Sequence, residues 1–155
     1  MENAPAPEPP SAHACMLIRR PAAEVFDAFV DPAVTTRFWY TDSSGPMTPG
    51  AHLRWEWRTY GASAEIRVEE VDAPRLLRFT WGNYDQPTAV ELRFTPRPGD
   101  TTFVEVAETG FRGSTAEALR WVGDTVGGFT TVLCSLKALL EHDLRLDAVP
   151  DHHPA

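Results

Sequence analysis

Glu108 stands just before a Thr109-Gly110 break, at the end of a run in which Val104 and Val106 alternate with polar residues. A carboxyl at such a strand end, beside apolar walls, loses hydration, and its pKa rises toward the range useful for general acid/base work. That chemistry requires a titratable side chain within hydrogen-bond reach of the reacting atom. By residue type the other candidates are Arg37, Tyr40, Tyr60 and Tyr84, with Tyr40 second to Glu108 as a catalytic candidate. The plainer reading of Glu108 is a solvent-facing residue at a rim. His52 shares strand parity with Arg54 and Glu56 and is expected to face solvent, while His142 falls where it meets the C-terminal dipole of a helix.

Other chemistries find no support in the spacing. The sequence contains no nucleophile elbow, phosphate-binding glycine loop or acidic metal cluster. His152 and His153 are adjacent rather than at zinc-ligand spacing, so no metal and no cofactor is expected. Cys15 and Cys134 form no CxxC pair and are read as two buried, reduced thiols. A net charge of −8 and a pI near 5.0 repel nucleic-acid phosphates and anionic membrane faces. Lys137 is the only lysine, so guanidinium groups supply the remaining cationic contacts. No apolar run approaches the roughly 20 residues that span a bilayer, and the N-terminus lacks a charged start followed by an apolar segment. Neither nucleic acid nor membrane insertion is expected, and the expected location is the cytoplasm.

The elements that position these groups follow from hydrophobic period. With 155 residues there is room for one domain, expected over residues 13–146 between disordered tails at 1–12 and 147–155. Cys15 to Arg19 reads as a short strand. Pro21 then opens a helix to about Val30, with Val25, Phe26 and Phe29 on its apolar face, and Asp31-Pro32 opens a second short helix to about Phe38. From the Pro49-Gly50 turn the period becomes two. Leu53, Trp55 and Trp57 alternate with Arg54, Glu56 and Arg58, and the same alternation recurs around Ile66 and Val68, around Leu77, Phe79 and Trp81, and around Val90, Leu92 and Phe94. A last strand covers Thr101 to Glu108, with Val104 and Val106 inward and Phe103 opposite. Short turns make consecutive strands antiparallel, and the charged faces, carrying both signs, suit a solvated outer surface of cross-strand pairs.

A long helix from Ser114 to Leu144 closes the chain. Ser114 and Glu117 form a capping box. Leu119, Val122, Val126, Phe129, Leu133, Leu136, Leu140 and Leu144 recur at steps of three and four, an apolar stripe along one face. Gly123, Gly127 and Gly128 each cost roughly 1 kcal/mol relative to alanine. A line of small residues, Gly123, Gly127, Thr130 and Cys134, allows either close packing of a neighbour, the favoured explanation, or space for a ligand.

This order of elements resembles the helix-grip fold of START-type, polyketide cyclase and birch-pollen allergen proteins. Within it the chain is most similar to the branch related to the activator of heat-shock-protein-90 ATPase. The resemblance is carried by Pro21 to Phe26 (PAAEVF), Asp31-Pro32, Phe38-Trp39, Pro49-Gly50, Val71 to Trp81 (VDAPRLLRFTW), Thr101 to Val104 (TTFV), Glu108 to Phe111 (ETGF) and Gly127 to Phe129 (GGF), and it covers residues 14 to 144. It implies an α+β fold in which a curved antiparallel sheet of about six strands wraps the C-terminal helix, with two small helices after the first strand. The family commonly has Gly-Trp where this chain has Gly128-Phe129, and Trp121 lies two turns earlier, so a differently shaped inner wall is implied. The Asn- and Trp-rich motif of the amino-terminal module of true co-chaperones is absent from the sequence, so no co-chaperone activity transfers.

If the sheet grips the helix, Trp55, Trp57, Phe79, Trp81 and Phe94 converge on Val126, Phe129, Thr130 and Leu133, with Phe38, Trp39 and Tyr40 closing one end. These side chains either fill the core or line an apolar small-molecule pocket. The leading expectation is binding of a hydrophobic or aromatic small molecule such as a lipid or polyketide, with a stress-related role among the expectations. Two alternatives stay open: a cyclase- or dehydratase-like enzyme using Glu108 or a tyrosine, and an interaction module that meets a chaperone or a second copy of itself.

Overall fold

Alternation of apolar and charged residues builds most of the observed strands. The structure, a computed structural model, describes residues 4–5, 8–82 and 85–154. In chain order the elements are β1 (Ser11–Ile18), α1 (Ala22–Val30), α2 (Pro32–Thr35), β2 (Asp42–Ser43), β3 (His52–Trp57), β4 (Ala62–Asp72), β5 (Leu76–Trp81), β6 (Thr88–Arg97), β7 (Thr101–Thr109), α3 (Thr115–His142) and α4 (Ala148–Asp151). Every strand pair is antiparallel, in one sheet of order β1-β7-β6-β5-β4-β3-β2. Although β1 and β2 follow each other in sequence, they hold opposite edges, and α1 and α2 make the crossing between them. The architecture is the helix-grip fold: a curved, open sheet with the long helix against its inner face. A register shift between Val68 and Glu70 in β4 adds to the curvature, as bulges do.

The two faces of the sheet separate as the alternation requires. Leu53, Trp55, Ile66, Val68, Leu77, Phe79, Val90, Leu92, Phe94, Val104 and Val106 are buried on the inner face. Phe26 and Phe29 of α1 meet Phe94 edge-on, with ring centroids 5.2 and 5.7 Å away, the geometry that aromatic quadrupoles favour. On the outer face Arg54 pairs with Glu56 and Glu65, Arg78 with Glu70 and Glu91, and Arg93 with Glu91. His52 is exposed there, as its parity implies.

The end of α3 is fastened to β1 and the segment that follows it. Lys137 Nζ donates to Leu17 O at 2.8 Å and to Glu141 Oε2 at 2.7 Å, the Arg19 amide donates to the same carboxylate, and Arg20 Nε donates to Leu140 O. The capping box at the other end is complete: Ser114 Oγ accepts from the Glu117 amide at 3.2 Å and Glu117 Oε1 from the Ser114 amide at 3.3 Å. The helix stops at Asp143 in the left-handed region, where the Leu144 amide donates back to Ala138 O. No helix of the described residues is long and apolar enough to cross a membrane.

Several expectations are corrected. Where about six strands are expected the sheet has seven, the two-residue β2, paired with β3, being too short to show a period. Ser11 and Ala12, assigned to a tail, begin β1 opposite Thr109 and Glu108. Residues 148–151, also assigned to a tail, form α4, which buries Val149. Cys15 and Cys134 are exposed rather than buried: Ala14, next to Cys15, takes the inner parity, and Leu133 and Ser135 flank Cys134 on the buried side of α3. The apolar stripe of α3 is covered only in part. Its buried residues are Phe129, Val132, Leu133, Ser135, Leu136 and Leu139, while Leu119 is 72% exposed and Leu144 lies beyond the helix end. The first half of α3 therefore stands away from the sheet. Gly123, Gly127 and Gly128 do not serve close packing, since a Cβ at any of them would meet nothing within 4 Å.

Candidate functional site

The gap beneath the first half of α3 is a cavity of ≈ 440 Å³, open on one side. Its cause lies in residue size along the inner parity of β4. Ile66 and Val68 fill the core, but Ala62 and Ala64, on the same face, leave space between Trp57 on one neighbouring strand and Trp81 on the other. On the helix side Thr125 and Gly128 are small, so nothing refills the space, and Phe129 and Val132 form its inner end. Trp39 enters from the segment after α2. Val149 of α4 and His153 lie over another side, the His153 ring 4.5 Å from that of Tyr60.

The aromatic walls form one connected set. Trp81 stacks on Phe129 with centroids 6.0 Å apart, and Trp39 meets both edge-on at 6.0 Å. Trp57 stands 6.5 Å from Trp81. Trp57 also borders a second cavity of ≈ 270 Å³ on its other side, and its indole N–H is buried without a hydrogen-bond partner.

Glu108 supplies the polar point of this wall. It shares the inner parity of Val104 and Val106, pairs with Val90 on β6, and is only 4% exposed. Trp81 Nε1 donates to Glu108 Oε1 at 3.3 Å. Burial pushes the carboxyl above its ordinary pKa, against the opposing pull of hydrogen bonding from Thr88, Trp81 and Trp121. Trp121 is held in place by Phe111, stacked on it at 5.0 Å. The rim reading of Glu108 is thus corrected: the carboxyl faces inward. Tyr60, at the cavity edge, has its phenol pushed up to about 12 by burial.

The expected ligand-contact residues divide into three groups. Trp39, Trp57, Trp81 and Phe129 line the cavity. Trp55, Phe79, Phe94 and Leu133 are buried in the core and do not reach it, and Phe38 borders the second cavity instead. Thr130 is exposed on the outer side of α3 and Val126 is partly covered but does not border the cavity, because the helix faces the sheet along the line of Phe129 and Val132. Tyr40 is also separate from Glu108. It is fully buried, stacked on Trp55 at 4.5 Å, borders the second cavity, and has a pKa raised by burial against the opposing pull of hydrogen bonding from Thr35 and Ser43. Arg37 is exposed and pairs with Asp143. Tyr84 lies outside the described residues. The cavity residues that sequence reasoning passed over are Ala62, Ala64, Gly82, Thr88, Asp124, Thr125, Val132, Val149 and His153. The small inward pair on β4 was a usable signal, whereas nothing in residues 147–155 announced a cover.

Comparison with known proteins agrees with this architecture. The family model described as activator of Hsp90 ATPase homolog 1-like protein matches residues 19–141. Protein SSP2350 from Staphylococcus saprophyticus is similar in structure, with a TM-score of 0.76 and 26% identity over 88% of this chain and 95% of that one. DynU16, a protein of the dynemicin biosynthetic locus, has a TM-score of 0.77 and 21% identity over 90% of this chain and 49% of its own. The Aha1 dimer from Colwellia psychrerythraea has a TM-score of 0.71 and 15% identity over 85% of this chain and 96% of that one. No curated protein matches the sequence.

Proposed function

The chain belongs to the activator of Hsp90 ATPase homolog 1-like family, and on that premise we propose that it binds a hydrophobic or aromatic small molecule between its sheet and its C-terminal helix. The observation that carries this reading is the cavity itself. Three tryptophans and a phenylalanine surround space that no side chain fills, although the neighbouring Trp55, Phe79 and Phe94 of the inner face are packed in the core. Interiors close-pack unless something holds them open. Here openness comes from small residues placed opposite large ones, and its size suits a small molecule.

Native mass spectrometry of the protein purified from its own host tests the reading. A retained apolar compound, released on denaturation, supports it. A side-chain-filled core in an experimental structure, with the native and denatured masses equal, refutes it.

A second reading is favoured by one observation, the inward, desolvated Glu108. A carboxyl whose pKa is raised by burial, beside an apolar ligand, suits general acid/base work in a cyclisation or dehydration step. Glu108→Gln abolishing turnover while retaining binding of the same ligand distinguishes this reading from simple binding. Self-association is read from the dimer described for the Colwellia protein, and light scattering at micromolar concentration decides it.

A further inference from the structure

Building on the reading of this cavity as a small-molecule site, we propose that its ligand is a hydrophobic amine, held with its basic nitrogen toward Glu108. The first ground is the sign of the charges around the cavity. Glu108 and Asp124 border it, and no lysine or arginine does among the described residues. Outer-face arginines are committed elsewhere: Arg54, Arg78 and Arg93 pair with glutamates on the opposite side of the sheet.

The second ground is the wall. Trp39, Trp57, Trp81 and Phe129 present aromatic rings whose faces carry negative quadrupole charge and attract a cation, most strongly where water is excluded. The third is the hydrogen-bond inventory of Glu108. A carboxylate offers about four acceptor positions. Trp81 Nε1 donates to Oε1 at 3.3 Å, and Thr88 and Trp121 also lower the pKa by hydrogen bonding, so the carboxyl sits among donors. A donor that enters with the ligand adds to them, and an ammonium group is the donor that gains most from a buried carboxylate. A fatty acid or other carboxylate would meet two acids and the negative ring faces, with the His153 imidazole at the edge as the one basic side chain in the lining. The net charge of −8 attracts cations at longer range as well.

Isothermal titration of the full chain with three probes of one shape tests this: naphthylmethylammonium, naphthylmethanol and naphthoate near neutral pH. The ammonium is expected to bind at least about tenfold tighter than the alcohol, with naphthoate weakest, the gain expected of a buried charge-assisted bond and ring contacts. Glu108→Gln should bring the ammonium close to the alcohol. Asp124→Asn, at an exposed position, should lower the ammonium affinity by about twofold with the fold intact. Should Glu108→Gln fail to fold, the ranking on the unaltered protein still decides. Equal or tighter binding of the alcohol or naphthoate overturns the amine assignment while leaving the cavity a ligand site. Absence of binding by all three overturns both.

Discussion

Trp81 Nε1 donates to Glu108 Oε1 at 3.3 Å, reaching from β5 to β7 across the intervening β6. The bond anchors an inward carboxyl in an otherwise apolar row, and burial raises that carboxyl's pKa. In the unfolded chain a glutamate titrates near about 4.3. Because the folded value is higher, the folded state keeps a proton that the unfolded state has released. The stabilisation is complete below the unfolded value and is lost as pH rises through the folded one. Glu108→Gln removes this loss. Urea unfolding of both proteins from acid to neutral pH should show the variant gaining on the parent as pH rises. A difference that is constant with pH, or of opposite slope, contradicts the placement of Glu108.

Leu119 and Leu133 occupy one heptad-like stripe yet have opposite fates, one 72% exposed and the other fully buried. Leu133→Ala should cost about 2–5 kcal/mol in unfolding free energy, from lost transfer energy and a residual cavity. Leu119→Ala should stay within about 0.5 kcal/mol of the parent. Comparable losses would mean that the first half of α3 is pressed against the sheet.

Gly123 and Gly127 lie in that first half with free space where a Cβ would sit. Alanine at either should stabilise the protein by roughly 0.5–1 kcal/mol, since helix propensity is gained without a clash. Gly128 borders the cavity, so Gly128→Leu should occlude it: affinity for apolar probes falls at least about tenfold while the thermal midpoint holds. Destabilisation by both alanines would restore the packing explanation of the glycines.

Ser114 matters more than a surface serine usually does, because the helix it caps contains no buried residue before Phe129. Ser114→Ala should cost about 1 kcal/mol. Amide exchange should speed up over residues 115–127 more than over 129–140, where Lys137 and Arg20 tie the helix to the β1 side of the fold. Uniform acceleration along α3 would contradict a helix held mainly at its far end.

Most of the fold is legible in the sequence because its strands alternate strictly: Leu53-Trp55-Trp57 and Val90-Leu92-Phe94 leave little choice of inner face. The capping box at Ser114 and the Asp31 cap of α2, which accepts from the Ala33 amide, are equally local signals. What period and capping leave open is relational. That Leu119 is exposed and Leu133 buried depends on where the sheet ends beneath the helix, which period does not encode. Trp55 and Trp57 share parity and both face an alanine of β4, yet only Trp57 reaches the cavity, because Tyr40 stacks on Trp55 at 4.5 Å and Trp39 meets it at 5.0 Å. Parity with Val104 and Val106 places Glu108 inward, but a charged residue at a strand end argues for solvent, and the two signals conflict. Val149 and His153 sit in a Pro- and His-containing stretch without period, and only contact with the rest of the chain orders it.

The cavity as the ligand site is open to a single decisive experiment, a ¹⁵N–¹H spectrum of the tryptophan indoles recorded while an apolar aromatic probe is titrated in. The Trp57 and Trp81 indole signals are expected to move together and saturably with the probe, while that of Trp55, sealed in the core, stays nearly fixed. Movement of Trp55 alone, or no movement at any indole despite measured binding, would place the ligand elsewhere and contradict the cavity as the site.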